Sequence, residues 1–127
     1  HVIEPLYGYI LLLMKIDKNK NPVSGGWNFG PKKSNNINVN KVVSILNKNF
    51  KNKVRIKVNR KKKNLYKESD VLKLSSYKSK KSLGWMPKYN ISKSLRLITE
   101  WESFYVKDKN KVLDFTKRQI VSYLNQF

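Results

Sequence analysis

Cysteine is absent from the 127 residues, which excludes a disulfide framework, a cysteine zinc finger, an iron–sulfur site and a thiol nucleophile. Histidine is nearly as scarce: the single His1 leaves no material for a histidine metal site or a Ser-His-Asp triad. Acidic residues number 8 against 28 basic ones, giving a net charge of +20. Arginine supplies only Arg55, Arg60, Arg96 and Arg118, so the side chain that reads guanine edges bidentately is rare. The five glycines (Gly8, Gly25, Gly26, Gly30, Gly84) never approach G-x-G-x-x-G or a P-loop spacing, which excludes a glycine-rich phosphate cradle. The apolar run from Ile10 to Met14 is far short of the ~20 residues a membrane-crossing helix needs. The start of the chain shows no basic segment followed by an apolar stretch and a cleavage site, so a cytoplasmic protein without a signal peptide is expected.

What is present points to a folded domain. Apolar residues make up 39%, and three Trp, seven Tyr and five Phe are too many for a basic disordered tail. The length fits one small domain. Its opening, His-Val-Ile-Glu-Pro-Leu, reads as the middle of a fold, so residues 1–127 are expected to be a fragment of a longer chain.

Two readings of the charge compete. The Arg60-Lys61-Lys62-Lys63 run with Tyr66 nearby has the composition of a nucleic-acid patch with a stacking platform. Against it, lysine is spread over nearly every segment and is accompanied by asparagine, as in Ser34-Asn35-Asn36-Ile37-Asn38. That pattern fits solvated positions on any fold, and nucleic acid is not the expected partner.

Hydrophobic spacing predicts helices near 4–17, 39–50, 76–83, 92–107 and 111–126. Glu4 and Pro5 suit the first turn of the first helix. Ser75 or Ser76 and Ser92 are the candidate N-caps, and Gly84 the helix end before Pro87. Leu95, Ile98, Trp101 and Tyr105 mark the predicted inner face of the fourth helix. Short strands are expected near 27–29, 53–58 and 71–74, too little sheet for a self-sufficient doubly wound domain. The fold class is therefore α/β, mainly helical with short strands.

Tyr-x-x-x-Lys occurs as Tyr77 with Lys81, Tyr89 with Lys93 and Tyr105 with Lys109. Such spacing can lower a phenol's pKa for proton transfer, but no cofactor motif accompanies it, and all three read as surface pairs. Asn90-Ile91-Ser92 fits the glycosylation sequon and reads as a helix start.

Several segments in order carry a resemblance. His1-Val2-Ile3-Glu4-Pro5-Leu6-Tyr7-Gly8-Tyr9, Gly26-Trp27-Asn28-Phe29-Gly30-Pro31, Glu68 with Leu72-Lys73-Leu74, Lys78 with Leu83-Gly84-Trp85-Met86-Pro87, and Gln119-Ile120 with Tyr123 run through the whole chain. Together they resemble the H-V-x-E-P-L-x-G-Y, LKLD…SKA…LGW-x-P and Q-I-x-x-Y stretches of CDP-glucose 4,6-dehydratases. These are extended short-chain dehydrogenases of the NAD-dependent epimerase/dehydratase family. The resemblance implies the C-terminal, mainly helical nucleotide-sugar-binding portion of such an enzyme. NAD, the catalytic Tyr and Lys, the acid–base pair and a homodimer contact would then belong to a missing N-terminal Rossmann domain. The reaction it implies is dehydration of CDP-glucose to CDP-4-keto-6-deoxyglucose, in deoxysugar and lipopolysaccharide biosynthesis. No catalytic residue is expected in this segment.

The substrate-binding residues that the resemblance implies are Glu68, at the position facing the nucleotide's ribose, and His1, close to the diphosphate. Each has an ordinary alternative, a solvated Glu in a Lys-rich loop and a structural His. Ser75 stands where the family pattern has Asp, and Leu65 and Tyr66 stand where a basic residue is usual. Other sugar-nucleotide epimerases or dehydratases, or a free-standing basic nucleic-acid module, are the alternatives.

Overall fold

The computed structural model describes residues 1–18, 23–32, 37–51, 53–57 and 74–127. Five α-helices are formed there: α1 (Ile3–Lys18), α2 (Val39–Asn49), α3 (Tyr77–Leu83), α4 (Ile91–Lys107) and α5 (Val112–Leu124). A single 3₁₀ turn, Lys109–Lys111, joins α4 to α5. α4 is central to one half, packing on both α2 and α5, while α1 packs on α3.

The ends of these helices follow local chemistry. Asn38 caps α2 by accepting from the Lys41 N–H at 2.9 Å. Asn90, not Ser92, caps α4, accepting from the Lys93 N–H at 2.8 Å, so Asn90-Ile91-Ser92 is a helix start as its sequence reads. At the end of α3, Gly84 takes φ 67°, and the Gly84 and Trp85 N–H groups bond to the Lys80 and Ser79 carbonyls. That paired closure suits glycine, which has no Cβ to strain in the left-handed region.

The expected strands are not formed among the described residues. Residues 27–30 form no strand, and their polar backbone groups turn to α3. The Gly30 N–H donates to Ser76 Oγ at 2.8 Å, and Ser79 Oγ donates to the Asn28 carbonyl at 2.6 Å. Ser76 is consequently at the N-cap of α3 without capping it. The Val54 N–H likewise donates to Asn47 Oδ1 at 3.2 Å, a side chain of α2. Residue 58 and residues 71–73 of the other expected strands lie outside the described residues, as do Arg60 to Lys63 and Tyr66.

The inner face of α4 also differs from expectation. Leu95 and Leu97 are buried, whereas Ile98 is 44% exposed. Packing against helices on two sides selects Leu95 and Leu97, which one amphipathic stripe does not describe. Trp101 instead sits between helices, its indole donating to Thr116 Oγ1 at 2.8 Å while its ring stacks on Tyr105.

Gly8 brings the extended segment onto α1. The Phe29 ring lies where a Cβ at position 8 would stand, and it continues edge-on to Tyr9 and Trp85. Gly8→Ala is therefore expected to destabilise the fold by about 1–3 kcal/mol through overpacking, outweighing a gain in helix propensity of about 1 kcal/mol. Gly26→Ala, where nothing lies within 4 Å, should be near neutral. Thermal unfolding of the two variants checks this, and equal effects would remove the Phe29 contact from the account.

Candidate functional site

Three residues of the sequence pattern, Glu4, Trp85 and Tyr123, meet at the N-terminus of α1. Glu4 is buried there despite its charge. Its carboxylate accepts from the Lys88 N–H at 3.1 Å, the Tyr89 N–H at 2.6 Å and the Tyr123 hydroxyl at 2.8 Å. Its main-chain carbonyl accepts from the Trp85 indole at 3.0 Å. Ile3, Tyr89, Leu97 and Tyr123 form the buried apolar cluster around it. The rings of Tyr7, Tyr89 and Phe127 meet that of Tyr123 edge-on.

This network ties α1 to the segment before α4 and to the end of α5. Burial, the hydrogen bond to Glu4 and the charge of Glu4, with smaller contributions from Tyr89 and Tyr7, push the Tyr123 phenol well above its ordinary 10.0. A phenol held protonated in this way is a structural donor at neutral pH.

His1, one of the two implied substrate-binding residues, stands at the edge of the cluster. Its Nδ1 accepts from the Ile3 N–H at 3.3 Å, which in a neutral imidazole leaves the proton on Nε2. Its ring meets Tyr89 edge-on at 6.3 Å, and the Lys93 ammonium lies 5.8 Å from the same ring. Tyr89 thus has a histidine and a lysine around it, close to the start of α4. Glu68 lies outside the described residues, as do Lys63, Lys67 and Leu72.

The three Tyr-x-x-x-Lys pairs place each ammonium over a ring face, 5.2 to 5.9 Å from its centre. This is cation–π geometry, in which the cation meets the ring and not the hydroxyl. Tyr89 is moreover buried in the cluster, so its pair is not the surface pair expected from spacing.

Lys78 does something the sequence did not disclose. Its ammonium donates to the Ser24 and Gly26 carbonyls at 2.9 and 3.4 Å and lies 4.3 Å from the centre of the Trp27 ring. It fastens the turn at Gly25, where φ is 84°, to α3. These contacts span more than fifty residues of sequence, and the place of Lys78 in the pattern gave no signal of them.

No group of His, Asp and Glu among the described residues could hold a metal ion. No helix of the described residues is long and apolar enough to cross a membrane. Open grooves lie along α2, one of about 470 Å³ edged by Asn40, Ser44 and Lys48, away from His1.

No family model matches the chain. No solved structure matches it either. The chain is similar to CDP-glucose 4,6-dehydratase of Salmonella typhimurium (strain LT2), with 27% identity over 125 residues. The match takes in 98% of this chain and 34% of the Salmonella protein, so the chain spans about a third of the length of that curated relative. Its relationship is thus to a sugar-nucleotide dehydratase, at a distance.

The Glu4 network makes a stability prediction with a pH dependence. Tyr123→Phe should cost about 1–2 kcal/mol, while Glu4→Ala, which strands buried donors from several elements, should cost about 3 kcal/mol or more. The raised phenol keeps its proton in the fold while an unfolded chain releases it, so stability is complete below pH 10.0 and declines as pH rises beyond it. Denaturant titrations between pH 8 and 11 should therefore show less alkaline loss in Tyr123→Phe than in the parent. Parallel decline in both would count against the buried phenol.

Proposed function

We propose that this chain is the nucleotide-sugar-binding, C-terminal part of an NAD-dependent CDP-glucose 4,6-dehydratase, a lyase that removes water from its CDP-sugar. The observation that carries this reading is the match to the Salmonella enzyme over 125 residues, together with the convergence of Glu4, Trp85 and Tyr123, from three separate segments of the pattern, on one buried cluster. The complete enzyme is a cytoplasmic homodimer in this reading, paired through residues outside the segment.

The chain's own residues do not fit NAD. Gly8 takes the Phe29 ring, Gly30 bonds to Ser76, and Gly84 closes α3, so the glycines that could cradle a pyrophosphate serve packing and turns. In this reading the cofactor and the catalytic groups belong to residues outside this segment.

The work of the segment is binding. His1, with its Nε2 proton as donor, faces the diphosphate, and Glu68 accepts from the ribose hydroxyls. Contacts to that remote, non-reacting end of the substrate provide binding energy that orients the hexose.

Glu68→Gln in the complete enzyme should raise KM for CDP-glucose about ten- to a hundredfold, the worth of one charge-assisted hydrogen bond in a desolvated site. NAD affinity should not change. A shift below about twofold, as at an ordinary surface position, removes Glu68 from the site. Preference for another nucleotide sugar in the same assay moves the reading to a different epimerase or dehydratase. Retention on RNA or DNA that falls steeply with salt, without nucleotide-sugar binding, replaces it with a basic nucleic-acid module.

A further inference from the structure

Lysine is spread along the chain, but the acids are not. Residues 18–67 hold fifteen Lys and Arg and no Asp or Glu, so all eight acids lie outside that stretch. Such a block repels itself, and its field draws partners of the opposite sign. Of its described part, α2 and residues 51–57 present Lys41, Lys48, Lys51, Lys53, Arg55 and Lys57, all exposed. Glu100 of α4, which shares a groove with Asn49 at the end of α2, is engaged by Arg96 at 3.6 Å.

The structure adds a shape to this charge. Val42, Ile45 and Leu46 are half-buried on the side of α2 that packs on α4. The opposite side carries Asn40, Lys41, Ser44, Asn47 and Lys48, at the three- and four-residue spacing of one helical face. Two adjoining grooves of about 470 and 520 Å³ run along that side and share Asn40 and Ser44. Asn47 Oδ1 accepts from the Val54 N–H at 3.2 Å, which fastens the residues after α2 beside the groove, where Ile56 joins its lining. The result is concave, floored by amides and a hydroxyl, and bordered by ammonium groups.

We infer that this groove binds single-stranded nucleic acid, as a second site that neither rests on the dehydratase reading nor competes with it. Composition alone fits lysines on solvated positions; a single sign of charge gathered round a polar groove calls for a polyanion. Lys41 and Lys48 lie about 10 Å apart along α2 at 1.5 Å per residue, the span of about three phosphates at 3.4 Å each. Their ammonium groups neutralise phosphates, while the Asn40 amide, donor and acceptor at once, and the Ser44 hydroxyl meet exposed base edges. Ile37, Val43 and Ile56 supply apolar surface for base faces. Bases in a duplex are paired and stacked, so a groove that admits the ligand suits a single strand. Arginine is scarce, so the site reads little sequence. A lipid surface is met by a protruding apolar face, which a concave polar groove is not. A second copy of the segment, at +20, is repelled.

The test uses the protein encoded by the complete reading frame and fluorescent oligo(dT) and oligo(U) of about 12 nucleotides. Anisotropy titrations between about 50 and 200 mM salt should show affinity falling with a log–log slope of about −0.7 for each phosphate neutralised. Lys41→Gln combined with Lys48→Gln should reduce that slope by about 0.7 per lysine, and weaken binding roughly 25-fold at about 0.1 M salt. The control removes the same charge beside α5, by Lys111→Gln with Lys117→Gln at side chains 73% and 64% exposed. Its effect should stay below about twofold, because charges more than about 10 Å from the strand are screened at that salt. Saturating CDP-glucose should leave the oligonucleotide bound.

No binding at the lowest salt overturns the inference. Equal losses in the two double variants also overturn it, because the attraction then belongs to the whole charged surface. Displacement by polyglutamate at equal charge, or by phosphatidylserine vesicles, identifies an acidic protein or a lipid surface as the occupant and has the same consequence. Displacement by CDP-glucose places the oligonucleotide in the sugar-nucleotide site, which overturns the groove and leaves the functional reading standing. Should a variant lose its helical circular dichroism, lysine acetylation of the unsubstituted protein replaces it: oligonucleotide should protect Lys41 and Lys48 and not Lys117. Groove binding in a protein inert toward CDP-glucose overturns the dehydratase reading alone.

Discussion

The arrangement depends on a carboxylate taken out of water. An unpartnered buried carboxylate costs several kcal/mol, and only good hydrogen bonds offset that. Glu4 has them from the Lys88 and Tyr89 N–H groups and from the Tyr123 hydroxyl. Its donors belong to two distant stretches, so satisfying one side chain fixes α1 relative to the segment before α4 and to the end of α5. Pro87 stands directly before the first of these N–H groups, and Asn90 caps α4 directly after the second. The carboxylate therefore also sets where α4 begins, and through α4 the places of α2 and α5.

A second device replaces a sheet. The extended residues 27–30 have no strand beside them among the described residues, and backbone polar groups left unpaired near a core are costly. The hydroxyls of Ser76 and Ser79, at the start of and on α3, meet the Gly30 N–H and the Asn28 carbonyl instead, with Ser79 fully buried, while Lys78 takes the Ser24 and Gly26 carbonyls just before them. A helix with little intrinsic reason to persist at seven residues gains its place through these contacts. The Phe29 ring then lies on Gly8 and against Trp85, which couples this half to the Glu4 cluster.

The helices were legible because their signals are local. Periodic apolar residues, with Glu4-Pro5 at the start of α1 and Gly84 after α3, suffice to place all five within a few residues. The strands expected near 27–29 and 53–58 are not formed at their described residues: Trp27 to Phe29 and Val54 to Ile56 have strand composition, while strand formation needs a neighbour that composition does not supply. Ser92 was taken as the cap of α4 because serine is a common cap; Asn90, two residues earlier, is as good, and the reading of Asn90-Ile91-Ser92 as a helix start is borne out with Asn90 as the cap. For Glu4 a local signal existed, acid before proline at a helix start, but it accounts only for an interaction with the helix end. Its partners lie 84 to 119 residues away, and nothing in the sequence reveals that a carboxylate is buried. Of the candidate site, His1 was visible through the resemblance alone, and its bond to the Ile3 N–H only in three dimensions.

The span between Glu4 and Tyr123 has a consequence for how the chain acquires its shape. The bond that completes the cluster closes a loop of 119 residues, among the least local contacts the chain could make. Loop entropy defers such closures until nearer neighbours have assembled. During synthesis, α1 must therefore wait with its acidic group hydrated while α2 to α5 are made. Only the last turn of α5 supplies the phenol, which makes this cluster a late step in the assembly of the segment.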